Sequence, residues 1–285
     1  MIGKFKKIIS YIRTKGLFST IKAIQDKLAF IFKIHFTELK LGLIKSFVKS
    51  DLVVKHGKYK FTYSGGGDRG EILYHACWNK LFFEELDKIK NYIKPGDTVI
   101  DVGGNLGFFV LILNELVGES GKIFSFEPSK KLKERLESTI SNNNLKNVTV
   151  VNLALGETEG STTLHFNPKQ TGLSSIVSDF DGGSLSEEIQ ITTLDQFSKD
   201  INERISFIKI DTEGYEPRVL KGAKELISRH KPIIYIELGG EHQESSKEAL
   251  QILKELDYYC EAENVDLTNT PAGVNFVASP KNIIY

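Results

Sequence analysis

The chain has 285 residues, 40% of them hydrophobic, with 37 basic and 37 acidic side chains, so it reads as globular and long enough for a sizeable core in one or two domains. Cys77 and Cys260 lie far apart and the six histidines form no H-x-x-x-H pair, which excludes structural zinc and suits a reduced, cytoplasmic protein. No apolar run reaches the roughly 18 residues of a membrane span, and Lys6, Lys7, Arg13 and Lys15 break the start of the chain in a way unlike a secretory signal.

The even balance of charge hides an asymmetry. Residues 1 to 60 hold fourteen Lys or Arg against three Asp or Glu, a net +11, which leaves −11 for the other 225. Within residues 1–50, Ile2, Phe5, Ile9 and Ile12 recur at helical spacing, and Leu17, Ile21, Ile24, Leu28 and Ile31 resume it after Gly16. These predict two amphipathic helices with basic faces. Such an extension either caps the remaining chain with its lysines solvated, or makes a peripheral contact with anionic lipid worth about 1 kcal/mol per basic residue. Nucleic acid is not expected as a partner, because the body is acidic and carries no recognition motif.

Residues 51–94 form a second segment: a hairpin over 52–63, the glycine-rich stretch 64–70 as a lid or plain connection, and a helix over 71–93. The third segment, 95–285, opens with Pro95-Gly96 and the buried strand around Val99, Ile100 and Val102, with a helix beginning near Asn105. Between them lies Asp101-Val-Gly-Gly-Asn-Leu-Gly107, whose glycines allow a sharp turn close to a ligand. The spacing is not G-x-G-x-x-G, and no Walker-type run occurs, so neither a dinucleotide nor a phosphate cradle is indicated. An acid beside small residues suits a cationic ligand such as a sulfonium with an amino group. Lys122 to Phe126 predicts a second strand, and Glu127 at its end is placed to accept the hydroxyls of a ribose.

Further on, the pattern predicts a helix near 130–141, a third strand at 148–153, and a hairpin of 162–166 with 189–192 around a variable surface loop. A fourth strand at 205–210, a helix at 217–228, a fifth strand at 233–236, a helix at 245–256 and an antiparallel pair of 258–262 with 274–278 complete it. Alternation of this kind implies a doubly wound, mostly parallel α/β sheet. Asp211, Glu213 and Glu237 follow the fourth and fifth strands, so three carboxylates could converge on one rim, as general base, as ligand to an acceptor hydroxyl, or merely as helix caps. Nothing in their spacing fixes a cation geometry, and no metal is expected. His165 reads as a strand residue, and His242 ranks below the carboxylates.

Taken in order and spacing, Asp101–Gly107, Phe126-Glu127-Pro128, Ala154-Leu155-Gly156, Ser174-Ser175, Thr193-Leu194-Asp195, Lys209-Ile-Asp-Thr-Glu-Gly-Tyr-Glu216 and Val219–Ala223 resemble the FkbM family of S-adenosylmethionine-dependent methyltransferases. The resemblance runs from about Glu71 to Ala278 and implies a seven-stranded, Rossmann-like class I methyltransferase fold behind the N-terminal helical extension. It implies methylation of a hydroxyl on a sugar, glycan or other small metabolite. Asp101, Gly103, Asn105, Gly107, Glu127, Asn152 and Ala154 are then the candidate cofactor contacts, and Asp211, Glu213 and Glu237 the candidate catalytic groups. Gly104 stands where the family usually has alanine, which should loosen the turn. The competing expectation is a catalytically silent adenosine-binding protein held at a membrane surface by its basic arm.

Overall fold

The computed structural model describes residues 52–63, 69–167, 170–176, 185–267 and 273–281. The basic arm and residues 64–68 of the glycine-rich stretch, and with them the helical-extension and lid expectations, lie outside the described residues.

β1 (Leu52–His56) and β2 (Tyr59–Tyr63) form the expected hairpin, turning at Gly57 with φ 59°. The helix α1 (Arg69–Ile89) follows, ending earlier than expected, and its Trp78 and Phe82 join Phe61 and Tyr63 in one aromatic cluster with the body of the protein. The lead-in segment thus shares a core with the sheet.

β3 (Thr98–Val102), β4 (Lys122–Phe126) and β5 (Val148–Val151) lie parallel and in register, joined by α2 (Phe108–Val117) and α3 (Lys130–Asn142). β3 is buried at all five positions, as a central parallel strand covered on both faces must be. On its other side come β10 (Ile205–Ile210) and β11 (Ile233–Gly239), also parallel. β13 (Gly273–Pro280) returns antiparallel beside β11 and carries the edge strand β12 (Tyr258–Cys260). The resulting sheet has seven strands in the order β12-β13-β11-β10-β3-β4-β5.

Alternation along each strand separates two cores. Ile100, Ile208 and Ile234 face one cluster with Val219, Leu226 and Leu253, while Val99, Phe207 and Tyr235 face the cluster built by α1 and α2. This second face bears Asp101, Lys209 and Glu237 one pleat further toward the carboxyl ends of their strands.

Two expectations need correction. The surface loop expected between the hairpin strands contains a strand of its own. β6 (Ala154–Leu155), β7 (Gly160–Asn167), β8 (Gln170–Ser175) and β9 (Leu185–Thr192) make a separate four-stranded sheet of order β6-β9-β7-β8. Gln170 to Ser175 is too polar for its alternation to stand out.

The helix expected at 217–228 is two helices, α5 (Glu216–Lys221) and α6 (Lys224–His230). Asp195, in the short helix α4 (Leu194–Phe197), accounts for the break: its backbone N–H donates to the Gly222 carbonyl at 2.9 Å, and its carboxylate accepts from Glu225 N at 3.1 Å and Leu226 N at 2.8 Å. A distant side chain supplies the cap that a new helix start requires.

Gly222 also lies against the backbone of Gly156, so a Cβ there would overlap the Gly156 carbonyl oxygen. Neither backbone can move freely. Gly222→Ala is expected to destabilise the fold by about 1–3 kcal/mol by overpacking, read as a lower urea midpoint with unchanged slope; an unchanged midpoint would show that the two loops part without cost.

Candidate active site

At the carboxyl ends of β3, β4, β10 and β11 the chain makes two tight turns, and a buried lysine stands between them. The first follows β3. Gly103 N and Gly104 N both donate to Phe126 O, at 3.0 and 2.8 Å, which swings the turn toward β4. Gly103 adopts φ +84° and lies so close to Asp211 that a Cβ would strike its carbonyl oxygen. Asn105 is left-handed at φ 47° and Gly107 at φ 90°, so α2 starts at Phe108 and not near Asn105. Gly107, not Asn105, occupies the capping position.

Glu127 organises this turn. Its carboxylate accepts from Asn105 N at 2.8 Å and from Ser129 N at 2.9 Å, and the residue is buried. Burial pushes its carboxyl up to about 7 against the pull of those two N–H groups. A carboxylate offers about four lone-pair sites, so two backbone bonds leave acceptor capacity for ligand hydroxyls. Asn152 braces the same corner by donating to Glu127 O and Pro128 O, both at 2.8 Å. The Ala154 side chain packs with Leu164 and Ile189 in the small sheet.

Asp101 is fully buried. Its Oδ2 accepts from the Ser125 hydroxyl at 2.8 Å, and its Oδ1 lies 3.4 Å from Lys209 Nζ. Ser125 also explains Gly104. A Cβ at that position would overlap Ser125 Oγ and reach Leu136 Cδ2 at 3.0 Å, so the space of an alanine methyl is already filled and the turn is not loosened.

The second turn follows β10. Asp211 N donates to Val102 O at 3.2 Å, joining the two strand ends. Glu216, also buried, gathers the loop by accepting from Thr212 N, Thr212 Oγ1 and Gly214 N at 2.8, 2.9 and 3.2 Å. Glu213 sits at φ 52°, a strained setting for a residue with a side chain and one found often at functional sites. The His242 ring lies directly over Gly214, where a Cβ would come within 2.6 Å of Nδ1. His165 is in β7, opposite Ser175 and Ser186.

The structure brings the three predicted rim acids together: carboxylate oxygens of Asp211, Glu213 and Glu237 all lie within 4.8 Å of one another. Their repulsion is resolved by protons. Burial and the charges of Asp211 and Glu216 raise Glu213 to about 8, and the Asp211 charge, burial and a hydrogen bond to Asp211 raise Glu237 to about 10. At neutral pH the rim therefore holds Asp211, paired with Lys209 Nζ at 3.3 Å, beside two carboxyls that keep their protons. Lys209 and Glu216 bound the motif 209–216 and Ser125 falls just before Phe126-Glu127-Pro128, outside any motif, and no pattern along the chain marks a lysine in a buried strand as part of a site.

A parallel sheet with one antiparallel strand inserted beside its edge, with a glycine turn and an acid rim at the carboxyl ends of its strands, is an α/β domain whose crevice lies where such sheets bind ligands. The chain belongs to the FkbM methyltransferase family: the family model for the methyltransferase FkbM domain matches residues 101–260, more than half its length. Among curated proteins it is 33% identical over 69 residues to the protein-L-isoaspartate O-methyltransferase of Methanococcus aeolicus, covering 24% of this chain and 32% of that protein. The chain thus spans about a third of that relative's length. It is 24% identical over 178 residues to methyltransferase sdnD of Sordaria araneosa, covering 52% and 68%. Of solved structures, methyltransferase FkbM from Methylobacillus flagellatus KT matches at 19% identity and TM-score 0.45 over 74% of this chain and 53% of that one. A SAM-dependent O-methyltransferase from Thermotoga maritima matches at 14% identity and TM-score 0.43 over 80% and 77%.

The raised Glu237 has a stability consequence. The folded state keeps a proton that the unfolded chain releases near 4.5, so this stability is complete below that pH and is lost as pH rises toward 10. Glu237→Gln does not titrate. Its urea midpoint is expected to fall less than that of the wild type between pH 5 and 9; a parallel fall would refute the raised carboxyl.

Proposed function

We propose that the protein uses S-adenosylmethionine to methylate a hydroxyl group on a sugar, glycan or comparable small metabolite. The observation that carries this reading is the pairing of an acid-braced glycine turn with an acid rim through one lysine, whose Nζ lies 3.4 Å from Asp101 Oδ1 and 3.3 Å from Asp211 Oδ2. The turn fits the methyl donor. Gly103 lets the turn pack directly on Asp211 beside the rim, Glu127 retains acceptor capacity for ribose hydroxyls, and the acidic rim favours a cation. The bound donor would supply an activated methyl group. Gly103, Asn105 and Gly107 would shape its seat, with Asn152 bracing it from outside.

The chain's own work is to hold an acceptor hydroxyl in line with the donor and to receive its proton. Asp211 would take the proton: it follows β10 directly, lies about one third exposed, and is kept in place by Lys209 and by its N–H bond to Val102 O. Glu237 gives its proton to the hydrogen bond with Asp211, and Glu213, holding its own, offers a donor to a substrate oxygen. A rim with both donors and acceptors suits a substrate bearing several hydroxyls.

Calorimetric titration with S-adenosylmethionine tests the donor, and the absence of heat at high micromolar ligand would overturn it. Asp211→Asn is expected to weaken donor binding by no more than about tenfold, while S-adenosylhomocysteine production from a panel of hydroxylated sugars at saturating donor drops by about 10²–10⁴, the usual worth of a general base; retained turnover would remove Asp211 from the chemistry.

Glu127 sets a pH dependence. Its carboxyl titrates at about 7, and only the ionised form presents all its oxygens as acceptors. Donor affinity is therefore expected to weaken as pH falls from 8 to 6, and Glu127→Gln should bind more weakly with no such trend; a pH-independent wild type would argue against the ribose contact.

A further inference from the structure

Beyond helping to hold Asp211, Lys209 has no part in the proton transfer proposed above, yet it is almost fully enclosed, 2% exposed. A lysine is almost never buried without partners, because an ammonium loses its hydration there. The partners here come from both halves of the site. Nζ donates to Gly103 O at 3.1 Å and pairs with Asp101 Oδ1 at 3.4 Å on the donor side, and pairs with Asp211 Oδ2 at 3.3 Å on the acceptor side. It also lies 4.9 Å from the centre of the Phe109 ring, which fixes the side chain from α2.

Packing alone does not explain this choice. β10 is otherwise apolar at its buried positions, and a methionine of similar length would fill the space against Phe109 without stripping water from a charge. What an apolar side chain could not do is balance the acids around it. Asp101 faces Lys209 from β3, Asp211 and Glu213 from the loop after β10 and Glu127 from the end of β4; Glu216 at the start of α5 and Glu237 on β11 interact in turn with Glu213, and Tyr235 with its partner Glu85 lies across on β11.

We propose that Lys209 is a positioning residue that binds the donor turn and the acceptor rim into one charge-balanced unit, its ammonium holding Gly103 and Asp211 at a fixed separation and setting the charge that a cationic donor meets. The proposal rests on the methyltransferase reading above. The ammonium opposes the positive charge of a sulfonium but not a neutral thioether, so it acts differently on S-adenosylmethionine and on S-adenosylhomocysteine.

Calorimetry with those two ligands on the full chain, with folding checked by circular dichroism, provides the test. Lys209→Met is expected to shift the affinity ratio toward S-adenosylmethionine by about tenfold. Where the acids answer by taking up a proton, the lost charge appears instead as extra proton release on binding S-adenosylmethionine, read in two buffers of different ionisation heat. Lys209→Arg should keep the ratio within about twofold, Asp211→Asn should move it the other way, and Lys209→Met with Asp211→Asn should restore it. A purely structural lysine predicts equal weakening of both ligands with neither ratio nor proton release changed, and that result overturns the proposal. Should Lys209→Met not fold, an Asp211→Asn variant with an unmoved ratio overturns it as well. A wild type that binds neither ligand refutes the methyltransferase reading itself, an outcome distinct from a wild type that binds both with a ratio deaf to these charges.

Discussion

A line of polar side chains crosses the middle of an otherwise apolar sheet, and the site depends on it. Ser125, Asp101, Lys209 and Tyr235 are cross-strand neighbours on four adjacent strands, all on the face covered by α1 and α2. The ammonium of Lys209 is the centre of that row. Breaking a buried ion pair by removing one partner typically costs about 3–5 kcal/mol, because the other charge is left without solvent or counterion. So large a stake forces strict register: one residue of slip in β10 would turn Lys209 into the opposite core and leave Asp101 buried without its cation. The sheet therefore cannot form correctly without also bringing the donor turn and the acid rim together.

Carboxylates do the second layer of construction. Glu127 and Glu216 each collect backbone N–H groups from a turn that has no ladder of its own, three of them from residues in or next to left-handed conformations. Buried N–H groups left unpaired are expensive, and a carboxylate satisfies several at once with short, charge-assisted bonds. The two turns thus owe their shape to acids on the following elements, and Ser245 adds a further tie from α7 (Gln243–Glu255) through Gly214 O at 2.8 Å.

Strand and turn chemistry were legible along the chain. Val99, Ile100 and Val102 between Pro95-Gly96 and a glycine turn could be little else than a central strand, and the same holds for Ile205 to Ile210 and Ile233 to Ile236. β8 was hidden because six mostly polar residues gain their strand state from pairing with β7, and the break at Gly222 because the apolar period runs on while the cause, Asp195, lies far back in the chain. Rim acids could be grouped from their places at strand ends. Lys209 could not: a lysine between two isoleucines reads as a solvent-facing strand position, and only the sheet order reveals acids on either side of it. Gly104 shows the same limit, since its meaning lies in Ser125 across the neighbouring strand.

Charge conservation joins these parts to the proposed chemistry. A methyl transfer from a sulfonium to a hydroxyl removes one positive charge from the donor and releases one proton from the acceptor. If the rim takes that proton, a cationic donor facing an anionic rim becomes a neutral thioether facing a neutral rim, and the net charge of the enclosed site is the same before and after. Low-dielectric surroundings magnify the cost of any imbalance, so a site that holds its total constant avoids the cost in both states. Lys209 makes this balance achievable with Asp101, Asp211, Glu213 and Glu237 gathered at the strand ends, because it cancels one carboxylate while Glu213 and Glu237 stay neutral by keeping their protons. On the proposed chemistry only one rim charge then needs to change during the reaction, that of Asp211.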